Sequence, residues 1–143
     1  MTVKDHMSKF LKIDENISIQ EAAIKIDSQN AGSALITRED KAIGIVTEKD
    51  FLRKVVAKGK NASQTKIREI MSSPIITISA DEKIKDASRM MSEKNIRRLG
   101  VVDDKGNIIG KITTHGISKS LGFNRFKKRI IEHPRNYYAD NVK

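Results

Sequence analysis

Apolar and polar positions follow two rhythms along this chain, and the pair of rhythms comes round twice. Ile19, Ala22, Ala23 and Ile26 fall on one face at helical spacing, as do Ile84, Ala87, Met90 and Met91. That period buries one stripe and leaves the rest in water, so it predicts two amphipathic helices. Ser18 with Glu21, and Ser79 with Glu82, stand where capping boxes would open them: a hydroxyl accepts from a backbone N–H and a carboxylate answers. After each helix, two runs rich in β-branched residues bracket a polar turn. They are Ser33–Thr37 and Ala42–Thr47 around Arg38–Lys41, then Leu99–Val102 and Ile108–Thr113 around Asp103–Asn107. These are predicted hairpins. Short helical entries are expected at Val3–Met7 and Ile67–Met71, and a strand at Pro74–Ile78. Phe51–Val56 reads as the helix after the first hairpin, and a less well-marked helix follows the second.

The recurrence is a duplication. Val3-Lys-Asp-His-Met7-Ser8 matches Ile67-Arg-Glu-Ile-Met71-Ser72, Ile19-Gln-Glu-Ala22 matches Ile84-Lys-Asp-Ala87, and Gly44-Ile-Val-Thr47 matches Gly110-Lys-Ile-Thr113. The offset drifts by single residues at turns, as loop insertions produce. Each copy carries a β-α-β-β-α plan, which makes the expected class α+β. A unit of about 60 residues is marginal alone. Two copies packed sheet to sheet about a pseudo-two-fold axis would bury both apolar faces. The expected division is a first repeat at 1–60, a second at 61–121 and a basic tail at 122–143, with the polar stretch Lys58–Lys66 as linker.

Composition narrows the function classes. Apolar residues make up 38% and charged residues 32% of 143, which is globular rather than disordered. No apolar run reaches membrane-spanning length and nothing at the N-terminus resembles a signal peptide, so a cytoplasmic protein with no membrane partner is expected. Without cysteine there is no disulfide or thiolate metal site. His6, His115 and His133 lack metal-ligand spacing, and neither a G-x-S-x-G nucleophile nor a G-K-[ST] phosphate loop is present. A binding module is expected rather than an enzyme. The formal charge of +10 favours anionic partners, whether nucleotides, nucleic acid or acidic proteins. In the tail, Phe123, Phe126 and Ile130 share a helical face while Arg125, Lys127, Lys128 and Arg129 lie mostly off it. Such a segment can bind nucleic acid or a membrane surface, and more commonly packs its apolar stripe on the module or a second subunit. Pro134 should end it.

The candidate chemistry lies in Gly44–Asp50. Thr47 and Asp50 have the spacing of a helix cap, and a capped helix is the plain reading. The alternative is an open helix start whose carboxylate accepts from the hydroxyls of a ribose. Here the chain resembles a tandem pair of cystathionine-β-synthase-type (CBS) domains, a Bateman module. The likeness covers roughly residues 2–121. It rests on the duplicated plan, the Asp5-His-Met-Ser8 entry, the Asn95-Ile-Arg-Arg-Leu-Gly-Val-Val-Asp103 stretch and the Gly44-Ile-Val-Thr-Glu-Lys-Asp50 stretch.

The resemblance implies a regulatory module that binds adenine nucleotides, S-adenosylmethionine or related ligands in two clefts, commonly as a homodimer. It also implies that a cleft draws its ribose-binding Thr and Asp from one repeat and its phosphate-binding basic residues from the other. Thr47 and Asp50 would then pair with Arg97 and Arg98. Ile45, Ile75, Ile76 and Ile96 would wall the adenine, and His115 falls where some relatives carry a phosphate-binding Lys. Taken alone, Arg97 and Arg98 are equally a solvated basic edge, and His115 an ordinary loop histidine. In the opposite cleft Gly116 replaces the Asp and Gly32-Ser33 replaces the arginines. One working site per chain is expected, for AMP, ADP or ATP, with no cofactor required. The expected partners are a second copy of the chain and an unidentified regulated protein. Nucleic acid on the basic surface, and a structural dimer with vestigial clefts, are the competing readings.

Overall fold

The computed structural model describes residues 1–120. The expectations for Phe123, Phe126, Ile130, their basic neighbours and Pro134 lie outside these residues. In order the elements are α1 (Val3–His6), β1 (Lys12–Asp14), α2 (Ile19–Ser28), β2 (Ser33–Arg38), β3 (Lys41–Thr47) and α3 (Glu48–Asp50), which runs on as a π-helix (Phe51–Val56). A 3-10 turn (Ile67–Glu69), β4 (Thr77–Ser79), α4 (Ile84–Glu93), β5 (Arg98–Val102) and β6 (Ile108–Thr113) follow, and residues 114–120 are helical. This is the α+β arrangement expected of two β-α-β-β-α repeats. Each repeat forms a three-stranded mixed sheet, β1-β2-β3 or β4-β5-β6, its first pair parallel and its second antiparallel.

The helix stripes face the sheets as their periodicity requires. Ile19, Ala22 and Ile26 of α2 join Ile13, Ala34, Ile36 and Val46 in one core. Ile84, Ala87 and Met91 of α4 join Ile78, Leu99, Val101 and Ile112 in the other. Each large side chain so buried contributes about 1.5–3 kcal/mol. The first hairpin turns through Glu39 and Asp40, both at positive φ (49° and 65°). Two such residues give the twist that matches paired strands.

Three local expectations are corrected. The strand expected from Pro74 begins at Thr77. Pro74 has no N–H to give a ladder, although the Ile76 carbonyl still accepts from Gly100 N–H at 2.9 Å. Ser79 does not cap α4. It ends β4 opposite Val102, and its hydroxyl accepts from Asp81 N–H at 3.3 Å, which closes a turn. The helix starts at Ile84 with Lys83 at its cap and no side-chain bond there. In the other repeat Ser18 does cap, accepting from Glu21 N–H at 3.0 Å. The segment after Thr47 is π-helical from Phe51 rather than regular α.

The entry segments cross over. Val3 is fully buried in the second repeat's core, and Ile67 and Ile70 are buried in the first repeat's core. Val3 N–H donates to Glu82 O, and Ile67 N–H to Ile17 O, both at 2.8 Å. Ser8 exchanges two backbone bonds with Lys111 on β6 (both 2.9 Å), and Ser72 does so with Ile45 on β3 (2.8 and 2.9 Å). Glycine makes these approaches possible. A Cβ on Gly44 would lie 2.6 Å from Met71 Sδ, and one on Gly110 would lie 2.8 Å from Ser8 O. The recurring Met-Ser and Gly pattern is thus one contact made twice, each time across the repeats.

Candidate functional site

The site grows from the end of β3. Thr47 is extended (φ −128°, ψ 165°), and α3 begins at the next residue. Three residues on, Asp50 turns its carboxylate back: Oδ2 accepts from Thr47 N–H at 2.8 Å and from the Thr47 hydroxyl at 3.3 Å. This satisfies helix-start groups that would otherwise lack partners. Asp50 is 8% exposed. Lys54, one turn later, puts its ammonium 3.0 Å from Asp50 Oδ1. The capping geometry is therefore real, and the carboxylate is anchored at both oxygens.

The second repeat reaches this helix start through Arg98. Its Nη1 donates to Gly32 O at 3.1 Å, and the same carbonyl accepts from Glu48 N–H at 3.2 Å. Burial pulls the Arg98 guanidinium below its ordinary pKa, with Arg97 adding to the effect and Glu48 and Asp50 opposing it. A half-buried cation beside a helix start, bonded to a neutral carbonyl, would bind an anionic oxygen more strongly than its present partner. Ser33 pairs with Thr47 across the ladder, and its hydroxyl is buried without a hydrogen-bond partner among the described residues. Such a group costs about 1–3 kcal/mol.

The other residues singled out in the sequence are spread more widely. Arg97 precedes β5 and is exposed, whereas Arg98 is half-buried; the Arg97 carbonyl accepts from Thr114 N–H at 2.9 Å. Ile45 is half-buried on β3 beside Ser72. Ile75 lies near Gly100, where an added Cβ would come within 3.3 Å of its Cγ2, while Ile76 is 38% exposed. Ile96 packs on the second core and lines a surface cleft with Ser92, Asn95, Thr114 and Ile117, to which Thr47, Asp50 and Arg98 do not contribute. His115 is exposed on the helix after β6.

The symmetry-related position is built differently. Thr113 Oγ1 accepts from Gly116 N–H at 2.9 Å, so the hydroxyl half of the cap survives and the carboxylate half is gone. Lys111 occupies the place that Ile45 holds in the first repeat, and its ammonium lies 5.5 Å from the centroid of the buried Phe10 ring. Burial, with Arg98 nearby, lowers the Lys111 pKa. Among the described residues no group of His, Asp or Glu is arranged to hold a metal ion, and no helix is long and apolar enough to cross a membrane. Lys54 and Lys111 were missed in the sequence, and Ser33, expected in the opposite cleft, lies against Thr47 instead. Lys54 left a usable signal, since it stands four residues after Asp50 on a helix.

The comparisons with known proteins agree with this architecture. The CBS domain family model matches residues 3–57 and 67–122. An uncharacterised protein of Methanopyrus kandleri, MK0525, is 44% identical over 98 residues, which is 68% of this chain and 50% of that protein. The chain thus spans half the length of that relative. The CBS domain pair of MJ0100, solved with 5′-methylthioadenosine and S-adenosyl-L-methionine, superposes with a TM-score of 0.76 at 35% identity, covering 87% of this chain and 98% of that one. A CBS domain protein of Pyrobaculum aerophilum, PAE2072, complexed with AMP, shares the fold with a TM-score of 0.74 at 24% identity, covering 81% and 89% of the two chains. With the family model matching both repeats, this chain belongs to the CBS domain family as a tandem CBS pair.

Proposed function

We propose that this CBS pair is a regulatory binding module for an adenosine-containing ligand carrying 5′ phosphate, with AMP, ADP and ATP as the ligand set. It takes about one ligand per chain, at the junction of Thr47, Asp50 and Arg98. The observation that carries the reading is Arg98 crossing from the second repeat to the start of α3 in the first, where it bonds Gly32 O at 3.1 Å. That contact sets a guanidinium of the second repeat beside the helix start that carries Asp50, and this supports a reading in which Arg98 takes the phosphate and Asp50 the ribose. On binding, Arg98 exchanges the neutral Gly32 carbonyl for a phosphate oxygen, a stronger charge-assisted partner. Asp50 keeps Oδ2 on Thr47 and accepts a ribose hydroxyl on its remaining lone pairs. The MJ0100 pair, solved with two adenosine derivatives, supports the adenosine part. The arginine favours an anionic 5′ group over a cationic sulfonium. Occupancy is read by a partner protein through a homodimer of this module.

Titration calorimetry with adenosine, AMP, ADP, ATP and S-adenosylmethionine tests the reading. Asp50→Ala should weaken every ribosyl ligand by about ten- to a hundredfold, the loss of a charge-assisted hydrogen bond worth about 1.5–3 kcal/mol. Arg98→Ala should weaken the phosphorylated ligands more than adenosine. No heat with any adenine compound would end the proposal. A ligand bound beside Thr113 and Gly116 with the Asp50 side free would reassign the site and leave Asp50 as a helix cap.

A further inference from the structure

Resting on the nucleotide reading above, we infer that Lys54 is the positioning residue of the site, holding the ribose-accepting carboxylate and the adenine wall in one geometry. Its ammonium has three N–H donors. It donates to Ile70 O at 3.0 Å and to Ser72 Oγ at 3.3 Å, and it forms an ion pair with Asp50 Oδ1 at 3.0 Å. These partners belong to different parts of the site. Asp50 is the proposed acceptor. Ile70 is buried in the first core, and Ser72 pairs with Ile45, the proposed wall, by two backbone bonds. One side chain therefore ties the start of α3 to the crossed-over entry segment of the other repeat.

The local backbone explains how Lys54 reaches all three. It is four residues after Asp50, inside the π-helical stretch Phe51–Val56. Its side chain is 42% exposed, against 11% for Asp50. The ammonium sits against Oδ1 while Thr47 N–H and hydroxyl donate to Oδ2, so rotating the carboxylate would give up contacts at both oxygens. The chain supplies an internal comparison. With Thr113 matching Thr47, the positions of Asp50 and Lys54 are held in the second repeat by Gly116 and Ser120. Acceptor and tether are absent together from the cleft assigned no ligand.

The test compares AMP with its 2′,3′-dideoxy analogue, which keeps the base and phosphate and lacks the hydroxyls that Asp50 would accept. In the wild type AMP should bind about ten- to a hundredfold more tightly than the analogue. Lys54→Met and Lys54→Gln should shrink that ratio by about five- to tenfold, mainly by weakening AMP, whereas Lys54→Arg should preserve most of it. A merely structural Lys54 would weaken both ligands equally and leave the ratio unchanged, which overturns the inference. A larger ratio in the neutral variants also overturns it, since it would mean that Lys54 competes with ribose for the carboxylate. If the wild type binds neither compound, the nucleotide reading itself falls, an outcome distinct from a flat ratio.

Discussion

At the scale of single residues, ionic contacts in this chain act by fixing a carboxylate rather than by their number. Glu15 shows this away from the site. It is buried, and Arg38 donates to both its oxygens, Nε to Oε1 at 2.7 Å and Nη2 to Oε2 at 2.9 Å. The Arg38 hydrogen bonds hold the Glu15 pKa below its ordinary value of 4.5, against the opposing effect of desolvation. The unfolded chain therefore binds a proton at Glu15 at a higher pH than the folded chain does. The pair's contribution is fully present above pH 4.5 and is lost as pH falls through the depressed folded value. Denaturant midpoints of the wild type and Glu15→Gln should differ by a constant amount above that pH and converge below it. Parallel curves throughout would show that the contact does not couple to protonation. Asp50 is fixed at both oxygens too, by hydrogen bonds from Thr47 and an ion pair with Lys54, and in the proposed reading this would keep an acceptor in place for a ligand.

At the scale of elements, the two repeats solve the same capping problem with different residues. α2 has Ser18 at its cap, and its first N–H groups also find Thr65 O (2.9 Å from Ile19 N) and Ala62 O (3.0 Å from Gln20 N) in the linker. α4 has Lys83, whose side chain offers no acceptor, and its Ile84 N–H finds Met1 O at 3.2 Å. Ser18→Ala should destabilise the protein by about 0.5–2 kcal/mol, while Lys83→Asp should stabilise it by about 0.5–1 kcal/mol, since a carboxylate there both caps and meets the positive helix end. Equilibrium denaturation measures both, and a loss on Lys83→Asp would show that the Lys83 backbone pairing with Thr2 governs that end instead. The contrast also marks how much was legible. Stripe spacing, β-branched runs and the duplication are local patterns, so helices, hairpins and fold class followed from them. The bounds of β6, Ile108–Thr113, came out as expected. The cap of α4 did not, because Ser79 is claimed by the sheet, a contact with β5 that no local window contains. At the site, the pairing of Thr47 with Asp50 was readable at a spacing of three. The reach of Lys54 to Ile70 and Ser72 was hidden, since it depends on a segment 16 to 18 residues away returning to α3.

At the scale of the whole molecule, the crossing of the entry segments decides how the repeats depend on each other. Neither core is complete within its own repeat: the second lacks Val3 without the first entry, and the first lacks Ile67 and Ile70 without the second. In the proposed reading, a ligand at Asp50 would be coupled through Lys54 to the second repeat's entry segment at Ile70 and Ser72. The arrangement is a domain swap carried out inside one chain, with the linker 58–66 as its hinge loop. A cut in that loop leaves every exchanged contact in place. Fragments 1–60 and 61–143, produced separately, should each be largely unfolded by amide exchange. Mixed, they should assemble one-to-one into a heterodimer with the exchange protection of the intact chain. Independent folding of either fragment would mean that the crossed contacts are ornaments on two self-sufficient units. Reassembly would make the covalent join a matter of effective concentration, and would let the two halves be labelled, mutated or supplied to cells as separate molecules.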